Sequence, residues 1–298
     1  MGDPPERTSP PPPLPIRVVG KALTRMVARA PWTWPLLRRS VTGFFDRSAG
    51  GWDERVRPDA PEHLAALAAA VARLKAPPAR ALDLGTGTGA GALWLARQFP
   101  GARVTGLDIS EAMIEQAKAK LPNELSGRVE FLVGDAERLP FPDGSLDLVA
   151  QISVPVFFDE VARVLAPRGH VVVVSSLGLK TPFHTPERTL RDGFRRRGIE
   201  TVATGAEGPG TFFLGRARPE ANGERQDPHA QRTQRRGSPS RARGRPRLSE
   251  AIAVPVAGDT LRSWFASNRG RRRSPGLRRR GLGRSWPYRS GSSSRSSR

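Results

Sequence analysis

Three aspartates and three glycines are the residues best placed to do chemistry. Asp83 opens DLGTGTGAG (83–91), Asp108 lies near the end of ARVTGLDIS (102–110), and Asp135 stands in GDAERLPFPDGSLDLV (134–149). Gly85, Gly87 and Gly89 let the backbone turn sharply after the first acid and approach a ligand closely. Turns of this kind hold several nucleotide-like ligands. A nucleoside triphosphate loop would end in Gly-Lys-Ser/Thr, which is missing here. A dinucleotide fits Asp108, which follows Gly89 by about twenty residues, where a ribose-binding acid belongs. Asp83 argues the other way. A carboxylate ahead of the glycines repels a pyrophosphate and suits a ligand carrying an ammonium and a sulfonium group.

The elements that must hold these acids follow one another regularly. ARALDLG, ARVTGLDIS, RVEFLVGDA, SLDLVAQIS and GHVVVVSSL read as five strands. An alanine-rich helix over 65–74 precedes them. GALWLARQF, with an apolar face at Leu93, Ala96 and Phe99, EAMIEQAKAKL and FFDEVARVLA read as helices between them, and TPERTLRDGFRRRG as a helix after them. IETVATGAEGPGTFFLGRA reads as a hairpin about residues 207–210. The pattern predicts an α/β domain with a doubly wound, mostly parallel sheet and an antiparallel edge. In such a sheet the carboxyl ends of neighbouring strands face one crevice, so Asp83, Asp108 and Asp135 converge. One carboxylate then suits an amine, one the hydroxyls of a ribose, and one the exocyclic amine of an adenine.

Composition bounds the rest. The 298 residues include no cysteine, which removes disulfides, thiolate nucleophiles and Cys-ligated zinc, and no metal site is expected. The net charge is +21, but about +15 of it lies beyond residue 218 and about +5 before residue 45. The core is nearly neutral, which argues against nucleic acid as its partner. Residues 219–298 read as a low-complexity tail with twenty arginines and no lysine. Codon bias in a segment without a folding history is one reading of that tail, and nucleic-acid binding by its charge is another. Residues 1–13 are a proline-rich, disordered lead. Residues 14–40 form a basic helical extension. Its apolar Ile16, Val19, Leu23, Met26 and Val27 recur at helical spacing, with Arg17, Lys21, Arg25 and Arg29 on another face. That extension either caps the main domain or lies on an anionic membrane surface. It is too interrupted by charge to be a signal core or a membrane span, and a cytoplasmic location is expected.

Taken together, residues 40–218 resemble the class I S-adenosylmethionine-dependent methyltransferases, of the small-molecule group that includes the ubiquinone/menaquinone-biosynthesis type. LDLGTGTGAGA looks like their first motif, LDIS their ribose-binding motif and GDAERLPFPDGSLDLV their adenine-contact motif. FDEVARVLAPRGHVVVV is similar to their RVLxPGG segment, and FFDRSAGGWDERV (44–56) to the segment that closes over the cofactor. The resemblance implies a Rossmann-like, seven-stranded sheet with a reversed last strand, spanning a domain of residues 41–218. That reversed strand, matching the hairpin, argues against a dehydrogenase. The implied cofactor is S-adenosyl-L-methionine. By position, Gly85, Gly87 and Gly89 would pack under its methionine part and ribose, and Asp83 would hold the amine. Asp108 would bind the ribose, Ile109 would pack on adenine, Asp135 and Ala136 would read the adenine edge, and Gln151 would sit near the methionine carboxylate.

Methyl transfer is an in-line displacement that gains most from positioning. A base is needed only where the acceptor's proton is hard to lose. His184, in the loop after the fifth strand, is the candidate, although a loop histidine is more commonly a surface residue. His63, His170 and His229 are weaker candidates. Asp46, Arg47, Trp52 and Asp53 lie in the expected lid. The run QISVPV (151–156) lacks the Asn/Asp-Pro-Pro-aromatic signature of enzymes that methylate base amines, and cytosine C5 chemistry needs a cysteine. A small-molecule or lipid-like acceptor is therefore expected. Arg168 stands where the family has a glycine, and the segment after the fourth strand is short. These departures leave an alternative: a catalytically degenerate fold acting as an interaction module through its basic extensions.

Overall fold

A computed structural model of the protein describes Pro12 and residues 14–219. The lead over 1–13, apart from Pro12, the tail, apart from Pro219, and His229 lie outside the described residues. Seven strands form one sheet: β1 (Arg80–Leu84), β2 (Arg103–Asp108), β3 (Val129–Val133), β4 (Leu146–Ile152), β5 (Leu165–Ser175), β6 (Ile199–Glu207) and β7 (Gly210–Ala217). Their order is β3-β2-β1-β4-β5-β7-β6. The first five pair in parallel, and β7 runs antiparallel to both β5 and β6. This is the expected doubly wound sheet with a reversed last strand.

The helices are α1 (Leu14–Arg29), α2 (Trp34–Ala49), α3 (Trp52–Val56), α4 (Pro61–Val71), α5 (Ala90–Gln98), α6 (Glu111–Ala119), α7 (Phe158–Val164) and α8 (Glu187–Arg195). Successive strand residues point to opposite faces, and here both faces are covered. Ala81, Leu148, Ala150, Val172 and Val174 pack with Leu67 of α4, Leu95 of α5 and Ile114 of α6. Leu82, Leu84, Val149, Val171 and Val173 pack on the other side with Val161 of α7 and Phe194 of α8. Two covered faces explain why VVVV can stand unbroken in β5.

Several expectations need adjusting. The alanine-rich helix starts and ends earlier than residues 65–74, because Pro61 takes the first helical position, which has no N–H to lose. In α5 the buried face includes Gly91, Ala92 and Leu95 beside Leu93 and Ala96, with Gly91 close against the Asp83 carboxyl of β1. β5 begins at Leu165 and not at Gly169, so the Ala166–Gly169 turn lies inside it, with a register shift opposite β4. Arg168 sits there at φ +64, keeping the left-handed backbone of the glycine it replaces. Such a conformation costs an L-residue about 1–2 kcal/mol. The boundary expected between residues 40 and 41 falls inside α2, which runs unbroken across it.

In α1 the inward positions are Ile16, Gly20, Thr24 and Val27, of which only Ile16 and Val27 belong to the expected apolar set. A Cβ on Gly20 would stand 2.7 Å from the Pro182 side chain, so the helix lies against the loop after β5. Val27 and Trp34 form a small core with Phe157, against which Leu23, Leu37 and Val41 pack. The apolar face of the N-terminal helices is thus turned toward the domain.

Candidate active site

The site's floor is the turn between β1 and α5, held almost wholly by backbone. Asp83 lies opposite Gly106, and Leu84 opposite Leu107. Past the strand, the N–H groups of Gly85 and Thr86 both donate to the Leu107 carbonyl, at 2.7 and 3.0 Å. Gly85, Gly87 and Gly89 take φ of +74, +53 and +91, which explains the residue type at all three. Their surroundings differ. A Cβ on Gly85 would strike Val154 at 2.3 Å, and one on Gly89 would meet Phe131 at 2.9 Å. Gly87 alone of the three has nothing within 4 Å of that position. Of the glycines expected beneath a ligand, two pack against protein and Gly87 faces open space.

Asp108 locks this turn. Its Oδ2 accepts the Gly87 N–H at 2.8 Å and its Oδ1 accepts the Ser110 N–H at 2.9 Å. Burial pushes its carboxyl above the ordinary range, and the backbone N–H donors oppose that shift. The carboxylate still has lone pairs for ribose hydroxyls. Asp83 is almost fully buried, and its Oδ2 accepts the Thr86 hydroxyl at 2.6 Å. Desolvation pushes it up to about 6. Its Oδ1 has no partner, and neither does the side-chain oxygen or nitrogen of Gln151, which is fully buried beside Leu84. Natural interiors rarely leave three such atoms unpaired, and a polar ligand is one remedy.

Asp135 lies two residues past the end of β3, correcting the expectation that it ends the strand. The turn around it is closed by the Arg138 N–H on its carbonyl. Its Oδ1 accepts from Trp34 Nε1 at 2.8 Å and from the Glu137 N–H at 3.0 Å, and its Oδ2 lies 3.6 Å from Arg38. Arg163 of α7 holds the following loop by donating to the Leu139 and Phe141 carbonyls while paired to Glu160 and Asp143.

A cover closes over this floor. Ser110 donates to Asp46 of α2 at 2.6 Å, and Thr88 donates to Asp53 of α3 at 2.5 Å, where Lys120 also pairs. Between α2 and the ends of β2 and β3 lies a cavity of about 480 Å³, lined by Arg38, Thr42, Asp46, Ile109 and Asp135 among others, beside the glycine turn's lock at Asp108. Ile109 and Asp135 therefore meet in one space, and Ala136 packs beside it against the Trp34 core. Asp83 and Gln151 do not line that cavity; they lie buried on the neighbouring strands β1 and β4. Sequence reasoning missed Trp34, Arg38, Thr88 and Ser110. The two threonines alternating with the glycines were the one local signal.

On the far side of the crevice, His184 is half-buried with Nδ1 3.1 Å from the Ser175 hydroxyl. Burial and, secondarily, Lys21 pull its pKa down, which keeps the ring neutral near pH 7. His63 is buried with Nδ1 2.6 Å from the Arg57 carbonyl, away from the crevice's acids. His170 sits in β5 at the other end of the sheet from Ser175.

Residues 82–173 match a family model described as a methyltransferase domain. Those residues of the chain thus carry a methyltransferase domain. The chain is 44% identical over 109 residues to a demethylmenaquinone methyltransferase of Thermus thermophilus, covering 34% of this chain and 49% of the relative. It is 38% identical over 141 residues to a malonyl-[acyl-carrier protein] O-methyltransferase of Geobacter sulfurreducens, covering 44% and 51%. A fatty-acid O-methyltransferase of Mycolicibacterium smegmatis matches at 41% over 98 residues, covering 30% and 35%. The chain thus spans about half or less of the length of these curated relatives. Among solved structures, a chain from the complex between the Haloferax volcanii Trm112 methyltransferase activator and the putative methyltransferase superposes with a TM-score of 0.50 at 22% identity. That match covers 58% of this chain and 97% of the other, and it speaks for the fold. Among the described residues no helix is long and apolar enough to cross a membrane.

The residues present fit S-adenosylmethionine. The unpaired Asp83 Oδ1 and Gln151 amide suit its amino-acid end, and Gly87 offers backbone with room above it. Asp108 suits the ribose, and Asp135 with Ile109 suits the adenine.

Proposed function

We propose that this protein transfers the methyl group of S-adenosylmethionine to a small, lipid-like acceptor. The observation that carries the proposal is Asp108 bracing a glycine turn in which Gly87 is open, next to a cavity lined by Ile109 and Asp135. Bound there, the cofactor supplies a methyl carbon activated by a positive sulfur. Asp83 and Gln151 hold the amino-acid end, Asp108 fixes the ribose through a turn it already braces, and Asp135 reads the adenine edge. The catalytic unit is residues 41–218 together with α1 and the first part of α2, since α2 cannot be divided at residue 40.

The acceptor side is aromatic and basic. Phe45 of α2 lies 6.2 Å from Phe183 and 5.8 Å from Trp52, with Phe44 at 5.2 Å, so the cover meets the loop after β5 through rings. His184 follows Phe183 directly. As a neutral imidazole oriented by Ser175, it can take a proton from an acceptor hydroxyl or acid. An apolar acceptor with one acidic group, such as a quinol or a fatty acid, suits such surroundings. The names of the relatives support this class. The intact glycine turn and its three acids lend no support to a degenerate interaction module.

Calorimetric titration with S-adenosylhomocysteine, with NADH as control, tests the cofactor. Binding of the first alone is expected. Release of S-adenosylhomocysteine is then followed over a panel of quinols, fatty acids and catechols, and turnover of none of these would reject the acceptor class.

A further inference from the structure

The N-terminal helices have a second, outward face with its own pattern. Leu14, Val18, Trp32 and Leu36 are exposed at 66, 58, 75 and 79%, four of the seven large apolar side chains left that open among the described residues. None of them belongs to the expected apolar set, of which Ile16 and Val27 are buried. On α1, Leu14, Val18, Ala22, Arg25 and Arg29 are all exposed at spacings of three and four, so one stripe runs from apolar to basic. At the corner into α2 the two tryptophans divide. Trp34 is buried on Phe157, whereas Trp32, two residues earlier, points away, and Leu36 is exposed where Leu37 packs inward.

Charge decides what covers this face. Residues 14–45 contain six basic side chains and no acid. Among the described residues, none of Lys21, Arg25, Arg29 and Arg39 forms an ion pair. We propose that the outward face of α1 and the α1–α2 corner docks on an anionic phospholipid bilayer, with Trp32, Leu36, Leu14 and Val18 entering the interface and Arg25, Arg29 and Arg39 meeting the headgroups. Tryptophan is suited to the boundary between apolar chains and water. Apolar anchors ringed by basic residues without acids are the composition of interfacial helices. A second copy of this chain would bring the same positive charge to the same surface. A nucleic acid would leave the aliphatic Leu14, Val18 and Leu36 without a partner. The inward side of the same helices carries Trp34 and Arg38, which touch Asp135, so docking would hold the site's cover at the bilayer.

The absence of cysteine allows a direct test on the full chain. Leu36→Cys, labelled with an environment-sensitive nitrobenzoxadiazole, is mixed with phosphatidylcholine vesicles containing 30% phosphatidylglycerol or none. Val202→Cys, exposed on the edge strand β6, is labelled as the control. The expected result is a blue shift and at least a twofold gain in emission at position 36, only with the anionic vesicles, and no change at position 202. Adding Val18→Ser and Trp32→Ser to Leu36→Cys should weaken vesicle binding at least tenfold, with the unfolding temperature unchanged. Vesicle binding that leaves both labels in water would assign the attachment to the arginine-rich tail and overturn the proposal. A blue shift that needs only DNA, or only higher protein concentration, would overturn it equally.

Discussion

The floor and the cover of the site are built on different plans. The floor is a set of backbone hydrogen bonds closed on two acids, Asp83 buried and Asp108 partly so, and its parts lie within about thirty residues of sequence. The cover is joined to it by side chains: Trp34 and Arg38 on Asp135, Asp46 on Ser110, and Asp53 on Thr88 and Lys120. A backbone cradle is preorganised and opens only by unfolding. Polar side-chain contacts exchange for water at small net cost, so the part of the cover held by Asp46 and Asp53 can part and re-form while Trp34 stays packed on Phe157. A ligand held between the two would need such a division, because it must enter before it is covered.

The largest effect should come from breaking the floor at its lock. Asp108→Ala removes the acceptor of two backbone N–H groups and the expected ribose partner. Two charge-assisted hydrogen bonds at about 1.5–3 kcal/mol each put the loss of S-adenosylhomocysteine affinity at about a hundredfold or more. Unchanged affinity by calorimetry would remove the ribose assignment.

The glycines sharpen the contrast between folding and binding. Gly85→Ala places a Cβ 2.3 Å from Val154 at positive φ, and a loss of about 2–4 kcal/mol of stability is expected in denaturant melts. Gly87→Ala adds only the strain of its backbone, about 1–2 kcal/mol, yet should weaken the cofactor more than tenfold by filling the space above the turn. A Gly87→Ala protein that binds normally would show that no ligand lies there.

Asp83 provides the pH test. Its carboxyl in the ligand-free fold is pushed up to about 6 from 3.8, so it is neutral below that range and charged above it. An ammonium partner requires the charged form. Cofactor affinity should therefore rise as pH rises through about 6, with a loss approaching about tenfold per unit below it. The sign for folding is opposite. The ligand-free fold holds this proton more tightly than the unfolded chain, so its contribution to stability is fullest below about 4 and is lost as pH rises to about 6. Asp83→Asn should flatten both dependences, and an unaltered affinity profile would exclude Asp83 as the amine's partner.

The cover should give the smallest effect. Trp34→Phe keeps the ring on Phe157 but deletes one N–H donor to the Asp135 carboxylate, which Arg38 and the Glu137 N–H still hold, and affinity should fall only about three- to tenfold. A loss as large as that of Asp108→Ala would mean that cover and floor are one unit.

The same contrast explains what the sequence could tell. Glycines, acids and strand ends lie close together along the chain, so the floor was legible as a motif, as was the alternation that builds a parallel sheet. The cover was not. Trp34 reaches Asp135 across 101 residues and Asp46 reaches Ser110 across 64, and no local pattern encodes such pairings. The extension was read as one basic amphipathic helix with a given apolar face. Apolar periodicity does not reveal that α1 meets Pro182 through Gly20 and buries Thr24, because small and polar residues at a close helix contact carry no hydrophobic signal. The individual fates of Gly85, Gly87 and Gly89 were equally hidden, since they depend on Val154, in the loop after β4, and Phe131 of β3.

β7, the last strand of the sheet, lies between β5 and β6 and not at an edge. A chain emerging residue by residue from the ribosome therefore cannot complete this sheet when β6 appears. The central valine strand must wait with one side open until residues 210–217 arrive. During that interval its row of unpaired backbone groups is a template for any neighbouring nascent chain. The glycine at 208, which turns the chain back at φ +54, thus helps set how long the half-made domain stays exposed to aggregation.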